Sequence, residues 1–263
     1  MVERVSDDRA DHIVVRGVNK RFGDFSALTD VDMRVGRGNV AVIIGGSGAG
    51  KTTLLKILIG LDKPTSGEVL VSGVDIVPLS DRKMNEVRKK MAMVFQYSAL
   101  LDSMNVLDNV AFPLREHTKL AEKEIKKRVK EKLKILGLEN IEHRAPSELS
   151  GGMRKRVGLA RALMLEPEVI MYDEPTSGLD PITSRMVDDL IVSTRNRFDV
   201  TSIVISHDMA GALRIADQIY LMDKGRIVAS GTPRELVRGH NELAQRFLDS
   251  SGIEAERLLA ENE

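Results

Sequence analysis

The stretch that decides the fold is Gly45-Gly46-Ser47-Gly48-Ala49-Gly50-Lys51-Thr52. It satisfies the pattern G-x-x-x-x-G-K-[ST], in which glycines turn the chain so that successive backbone N–H groups form a concave anion site. The helix predicted from Lys51 to Ile59 adds the positive end of its dipole at the same point. Lys51 supplies a full charge for terminal phosphates, and the Thr52 hydroxyl can ligate Mg²⁺. With Thr53 directly after it, this stretch predicts a site for ATP or GTP.

The segments around this loop predict an α/β fold. Asn39 to Ile44, directly before the loop, is apolar without alternation, which is typical of a strand covered on both faces in a parallel sheet. Further strands are predicted at His12–Val15, Val31–Val35, Glu68–Val71, Met91–Phe95, Val169–Tyr172 and Thr201–Ile205, with a hairpin at Ile219–Met222 and Arg226–Ser230. Helices are predicted at Leu120–Leu136, which Gly137 ends, and at Ser150–Leu165.

Composition narrows the class of protein. The 263 residues carry 39 Lys+Arg and 39 Asp+Glu, aromatic residues make up only 3%, and cysteine is absent. A nucleic-acid-binding protein would show a basic excess, and one that stacks bases would need more aromatic residues, so nucleic acid is not expected as a partner. No apolar run approaches the roughly 20 residues of a membrane span, and the N-terminus does not resemble a signal peptide. If the protein acts at a membrane, we therefore expect it to do so through a partner protein.

Two carboxylates follow the apolar strand Val169–Tyr172. Asp173 and Glu174 come at its carboxyl end, where α/β sheets place ligand chemistry, and neighbouring residues on a strand point apart. Asp173 can therefore hold Mg²⁺ while Glu174 polarises an attacking water.

Two more strands end in polar residues suited to phosphate chemistry. Gln96 follows Met91–Phe95, and its amide can reach a metal ion or the lytic water. His207 follows the strand that starts at Thr201, and its imidazole can donate to a γ-phosphate oxygen. A lone glutamine or histidine at a strand end is usually structural. The coincidence of four such strand ends is what indicates a catalytic edge.

A second phosphate-binding feature lies at Leu149-Ser150-Gly151-Gly152-Met153. Ser150 is a favourable helix N-cap, and the glycines expose backbone N–H groups at a helix N-terminus. Alone, this would be an ordinary capped helix.

Taken in order, these motifs resemble those of an ABC ATPase. The series is the phosphate loop, Gln96, the L-S-G-G segment, the strand with Asp-Glu-Pro, the S-G-L-D segment Ser177 to Asp180, and His207. The resemblance covers residues 12–238. It implies a P-loop NTPase core with a mostly parallel sheet, an N-terminal antiparallel β portion, an inserted helical subdomain near 97–160, and a helical tail at 239–263.

The resemblance also implies how the site is completed. ATP and Mg²⁺ are the expected cofactors, and a second copy of the chain is expected to bind head to tail. Ser150, Gly151 and Gly152 of one subunit would then contact the γ-phosphate held by the other, with Asp180 at the interface. Phe22 is the candidate for stacking on adenine, and Phe25 is the alternative.

Several segments resemble the ATPase of the Mla-type lipid transporters in particular. They are Met153, Met104–His117, Pro146–Glu148, Asp180–Thr183 and Phe247–Asp249. This resemblance implies ATP-driven phospholipid movement between bacterial membranes, a polytopic permease, an MCE-domain protein, a small STAS-domain protein as a possible further partner, and a place on the cytoplasmic face of the inner membrane. An amino-acid-type or other small-solute importer shares the whole catalytic set and remains the alternative. A non-transport ABC ATPase is more remote, because no long coiled coil separates the two phosphate motifs and only one cassette is present.

Overall fold

The computed structural model describes residues 11–96, 98–239 and 241–250. The end of the predicted tail, 251–263, and the stretch before Asp11 lie outside these residues. The strands are β1 (Asp11–Phe22), β2 (Phe25–Gly36), β3 (Val40–Gly45), β4 (Ser66–Val71), β5 (Val74–Asp75), β6 (Met91–Val94), β7 (Val169–Asp173), β8 (Thr201–Ser206), β9 (Gln218–Asp223) and β10 (Arg226–Gly231). The α-helices are α1 (Lys51–Leu58), α2 (Asp81–Arg88), α3 (Val106–His117), α4 (Glu122–Ile135), α5 (Gly151–Ala162), α6 (Pro181–Phe198), α7 (Met209–Ile215), α8 (Pro233–Arg238) and α9 (Glu242–Ser250).

The strands form two sheets. A six-stranded sheet has the order β10-β9-β3-β8-β7-β6, in which β9, β3, β8, β7 and β6 are parallel and β10 is an antiparallel edge. A four-stranded antiparallel sheet has the order β2-β1-β4-β5. The α/β class, the mostly parallel sheet and the N-terminal antiparallel portion predicted from the sequence are confirmed.

The parallel sheet is covered on both faces because its central strands are apolar throughout. Every residue of β3 is buried, and its side chains alternate between two cores. Val42 and Ile44 pack on the side of α3 to α7, whereas Ala41 and Ile43 pack on the side of α1 and the antiparallel sheet. Because β3, β8, β7 and β6 are parallel, their carboxyl ends lie along one edge of the sheet.

Three helices between β6 and β7 pack on one another. The stripe Ile125, Val129 and Leu133 of α4 is buried, as its helical spacing predicts, and Gly137 takes a φ of 67° just after the helix. The second predicted helix ends earlier than expected, since Ala162 closes α5 and a 3₁₀ turn continues to Leu165.

The first two strands are much longer than the sequence pattern predicted. The pairing of β1 with β2 shifts register between Val15 and Val18, around Gly17, whose φ is 52°. Such a bulge breaks the alternation from which strand length is read. Among the described residues, none of the helices combines the length and the apolarity that a bilayer span would need.

Candidate functional site

The phosphate loop joins the end of β3 to the start of α1. Gly48 and Gly50 have φ values of 78° and 101°, a region that L side chains rarely adopt. Lys51 is 8% exposed, and its Nζ donates to the carbonyl oxygens of Gly45 at 2.8 Å and Gly46 at 3.1 Å. The lysine ammonium therefore lies folded across the loop, where an anionic ligand can take over these bonds.

A pocket of about 240 Å³ opens on this loop. Residues 48–53 form one side, so Thr52 and Thr53 both line it, and Phe25 and Ala27 at the start of β2 form the other. A cradle of backbone at a helix N-terminus with a lysine beside it suits phosphate oxygens.

Glu174 lies at the centre of the site. Its φ is 49°, and its N–H donates to the Ile205 carbonyl at 2.9 Å. A left-handed non-glycine residue stores strain that the surrounding structure must hold, which is typical of functional positions. The carboxylate Oε2 is 2.6 Å from Nδ1 of His207, and Oε1 is 3.9 Å from Nζ of Lys51. Three residues predicted from three different strand ends are therefore brought together.

Asp173 is half-buried beside this group. Burial raises the pKa of the Asp173 carboxyl, the charge of Glu174 raises it further, and Lys51 and Lys56 lower it. A carboxylate that is poorly compensated in this way would be stabilised by a bound cation. The oxygen atoms of the Asp173 carboxylate, the exposed Thr52 hydroxyl and the Gln96 side-chain amide are ligand types that suit Mg²⁺. This ion is usually held by one or two carboxylates together with phosphates and water.

Gln96 follows β6, the strand next to β7. Its Nε2 donates to Oγ of Ser177 at 3.1 Å. It lines a second pocket, of about 260 Å³, together with Gly151, Lys155 and Gly178. Gln96 is thus beside the acidic strand end but on the side facing α5.

The second phosphate feature has the local geometry that the sequence predicted. The Ser150 Oγ accepts from the N–H of Met153 at 3.3 Å, so Ser150 caps α5. A Cβ added at Gly151 or Gly152 would meet nothing within 4 Å. This helix start opens on the pocket of Gln96 and on the surface, not on the phosphate loop of the same chain.

Asp180 has a structural function of its own. Its Oδ1 accepts from the N–H groups of Ile182 and Thr183, both at 3.0 Å, and its Oδ2 accepts from the Thr183 hydroxyl at 2.6 Å. These bonds hold the pKa of Asp180 below its ordinary value. Oδ1 therefore caps α6, and within the part of the chain that the structure describes the side-chain hydrogen bonds of Asp180 stay at the start of that helix.

The two candidate adenine-stacking rings flank one tight turn. Phe22 ends β1, Phe25 starts β2, and the two residues are register partners. Both rings are exposed, at 52% and 66%. Phe25 lines the pocket of the phosphate loop, whereas the ring of Phe22 lies 4.8 Å from the ammonium of Lys20. The pocket of a single chain therefore favours Phe25, the alternative candidate for stacking on adenine. Phe22 lies on the other side of the same turn.

Two basic residues that sequence reasoning missed hold the site's loops. Lys155 of α5 donates from Nζ to the Pro175 carbonyl, directly after Glu174. Arg161 donates to the carbonyls of Ala99 at 2.8 Å and Ser98 at 2.9 Å, in the segment after Gln96. Both belong to the helix predicted at Ser150–Leu165, and no local sequence signal marks which of its basic residues reach these loops.

Several known proteins resemble this chain over most of its length. A family profile described as ABC transporter matches residues 28–177. The "Intermembrane phospholipid transport system ATP-binding protein MlaF" of Haemophilus influenzae is 42% identical over 236 residues, which is 90% of this chain and 89% of the relative. The protein of the same name from Escherichia coli K12 is 41% identical, over 91% of this chain and 89% of the relative. The "Probable ribonucleotide transport ATP-binding protein mkl" of Mycobacterium leprae is 41% identical over 92% of this chain and 70% of its own length.

Solved structures show the same fold. The cbiO1 protein from Clostridium perfringens, described as part of the ABC transporter complex cbiONQ, superposes with a TM-score of 0.82 at 32% identity, covering 91% of this chain and 95% of its own. The dimeric ATP-binding cassette MJ0796 in a post-hydrolysis state, bound to ADP and Pi, gives a TM-score of 0.75 at 32% identity, covering 86% and 99%.

Proposed function

This chain belongs to the ABC transporter family, and on that premise we propose that it is the ATP-hydrolysing subunit that drives phospholipid movement between bacterial membranes. One observation carries the enzymatic part of the proposal. Lys51, Glu174 and His207 meet across three neighbouring strand ends, beside the loop that cradles phosphate. Phosphoryl transfer requires mainly positioning and neutralisation of charge, which this group supplies.

Each residue of the group has a distinct role in the proposal. Lys51 exchanges its carbonyl acceptors for the terminal phosphates of ATP. Glu174 orients and polarises the attacking water, and His207, held at the Glu174 carboxylate, donates to the γ-phosphate. Asp173, Thr52 and Gln96 would hold Mg²⁺, which supplies positive charge to the β- and γ-phosphate oxygens. Gly45 to Thr53 bind the phosphates through backbone N–H groups and hydroxyls, and Phe22 or Phe25 stacks on adenine.

A second copy of the chain completes the site in this proposal. The N-terminus of α5 presents Ser150, Gly151 and Gly152 to the surface without obstruction, and these residues lie away from the phosphate loop of their own chain. A helix start of this kind binds anions, so it is available to the γ-phosphate held by a partner. Asp180 would contribute to this interface indirectly, because it caps α6.

The cargo is inferred from the relatives. The MlaF proteins match this chain over about nine tenths of both lengths, whereas the mkl protein is matched over 70% of its length. From the resemblance of Met104–His117 and Met153 to the Mla-type ATPases, we propose a polytopic permease and an MCE-domain protein as partners, with a small STAS-domain protein as a further candidate, on the cytoplasmic face of the inner membrane. We propose that two parts lie outside the ATP-binding core, a helical subdomain at about 97–160 and a helical tail at 239–263.

Purification of a tagged copy with its membrane partners tests the cargo. The complex is reconstituted into vesicles that contain a fluorescent phospholipid, and transfer is followed on addition of Mg-ATP. We expect ATP-dependent phospholipid movement that a Lys51→Ala complex does not support. Transfer of a labelled ribonucleotide with no phospholipid movement would overturn the assignment of cargo. Full ATPase activity in the Lys51→Ala complex would overturn the assignment of the site.

A further inference from the structure

The turn between β9 and β10 lies directly beneath the phosphate loop. The N–H of Gly225 donates to the Ala49 carbonyl at 3.0 Å, and the Gly225 carbonyl accepts from the N–H of Thr29 at 2.8 Å. One residue of this turn therefore joins the phosphate loop to the start of β2 through backbone bonds alone.

The backbones of the three segments meet closely, and Cδ2 of Leu28 lies beside them, 2.9 Å from where a Cβ at Gly50 would be. A Cβ at Gly225 would lie 2.6 Å from the Ala27 carbonyl oxygen, and one at Gly50 would lie 2.9 Å from the same oxygen and 3.4 Å from the Gly225 Cα. At the other end of the loop, a Cβ at Gly45 would lie 2.3 Å from the Met222 carbonyl oxygen. The β9–β10 hairpin thus meets the phosphate loop at Gly45 at a distance that only glycine permits, whereas the tight contacts of Gly50 and Gly225 are with the start of β2.

These contacts set the direction of the loop's donors. A peptide unit is planar and trans, so its C=O and the following N–H point in opposite directions. Because the turn holds the Ala49 carbonyl from beneath, the N–H of Gly50 must point away from the turn and toward the pocket. Ala27 and Phe25 line the same pocket, so the turn also fixes the spacing between its two walls.

We propose that Gly225 is a positioning residue for nucleotide binding. Its turn holds the phosphate loop at a fixed distance from Phe25 and Ala27, which line the opposite side of the pocket. The proposal rests on the proposed function, since it specifies how the ATP site is shaped. Gly225 acts through the backbone of Ala49 and does not touch the nucleotide.

The chain contains a matched control for this position. Gly73, in the turn between β4 and β5, has the same φ of 77° but nothing within 4 Å of an added Cβ. Asparagine tolerates left-handed backbone, so Gly73→Asn tests the cost of conformation, and Gly225→Asn adds the close backbone contact. Gly225→Ala and Gly73→Ala repeat the comparison with a residue that tolerates the conformation less well.

The full-length chain is titrated with Mg-ADP, and thermal unfolding is recorded for each variant. We expect Gly73→Asn to bind as the native chain does and Gly225→Asn to bind on the order of tenfold more weakly. The added side chain overlaps the Ala27 carbonyl oxygen, so the turn must move relative to β2 and relative to the Ala49 carbonyl that it holds. Both should unfold cooperatively within a few degrees of each other, since the strain is local. Equal affinities for the two asparagine variants would overturn the proposal. A native chain that binds no nucleotide would instead overturn the proposed function.

Hydrogen exchange on the native chain decides the matter should Gly225→Asn not fold. Binding of Mg-ADP fixes the phosphate loop and with it the Ala49 carbonyl, so we expect slower exchange of the amides of Gly225 and Thr29. The amide of Ser72 in the β4–β5 turn, which donates to the His12 carbonyl at 2.8 Å, serves as the reference. Unchanged exchange at Gly225 and Thr29 would refute the proposed coupling.

Discussion

Replacement of Arg214 by methionine removes the partner of a buried carboxylate. Arg214 of α7 donates from Nη2 to Oδ2 of Asp188 of α6, and the two side chains are 18% and 4% exposed. Gly211 makes room for the pair, because a Cβ there would lie 3.2 Å from the same Asp188 oxygen. The ion pair joins α6, which Asp180 caps, to α7, which follows His207. Its loss should therefore lower the free energy of unfolding.

The magnitude follows from burial. Breaking a buried ion pair by removal of one partner costs about 3–5 kcal/mol, because an uncompensated charge remains in the interior. In a domain of this size, 1 kcal/mol shifts the melting temperature by about 2–4 °C. We therefore expect Arg214→Met to lower the melting temperature by about 6–20 °C at neutral pH.

The cost depends on pH in a defined direction. Burial raises the pKa of Asp188 above its ordinary value even though Arg214 lowers it. A carboxyl with a raised folded-state pKa favours the folded state when protonated, so that contribution is present at low pH and is lost as pH rises through the folded pKa. Loss of Arg214 raises this pKa further. The Arg214→Met variant should therefore lose more stability at pH 8 than at pH 5.

Thermal unfolding of four proteins checks this reasoning. They are the native chain, Arg214→Met, the double variant with Asp188→Asn, and Arg115→Met as a control. Arg115 pairs with Glu122 at an exposed site, where an ion pair contributes about 0–1 kcal/mol. The neutral amide that Asp188→Asn introduces in the double variant should recover most of the loss. The reasoning is refuted if Arg214→Met costs no more than the control, or if Asp188→Asn recovers nothing.

Three further predictions concern the site itself. Glu174→Gln should leave Mg-ATP affinity unchanged and slow hydrolysis by about 10²–10⁴, the usual contribution of a positioned base, and a turnover equal to the native rate would assign the water to another group. A mixture of Lys51→Ala and Ser150→Ala chains should hydrolyse more ATP than either variant alone, because each heterodimer keeps one complete composite site; an inactive mixture counts against a shared site. Of Phe22→Ala and Phe25→Ala, the variant that loses the stacking ring should bind ATP more weakly by about 1–3 kcal/mol, and the other variant should bind as the native chain does. Native affinity in both variants would exclude both rings.

Local motifs predicted the site residues because their chemistry depends on short stretches of chain. The loop from Gly45 to Thr52 carries its own turn, dipole and charge, and the acids after β7 need only an apolar strand before them. The order of these motifs was enough to indicate the fold class. The length of β1 was not predictable, because the bulge around Gly17 hides the alternation of a paired strand.

The sequence by itself indicated which groups are candidates for phosphate binding and at which strand ends they stand. The tertiary structure alone decided that Glu174 lies within 2.6 Å of His207, since only the strand order puts β7 beside β8. It also decided that Gly225 lies under Ala49 and that Arg214 meets Asp188. Each of these contacts joins residues far apart along the chain, and no local pattern encodes them, because packing of whole strands and helices sets the distance between them.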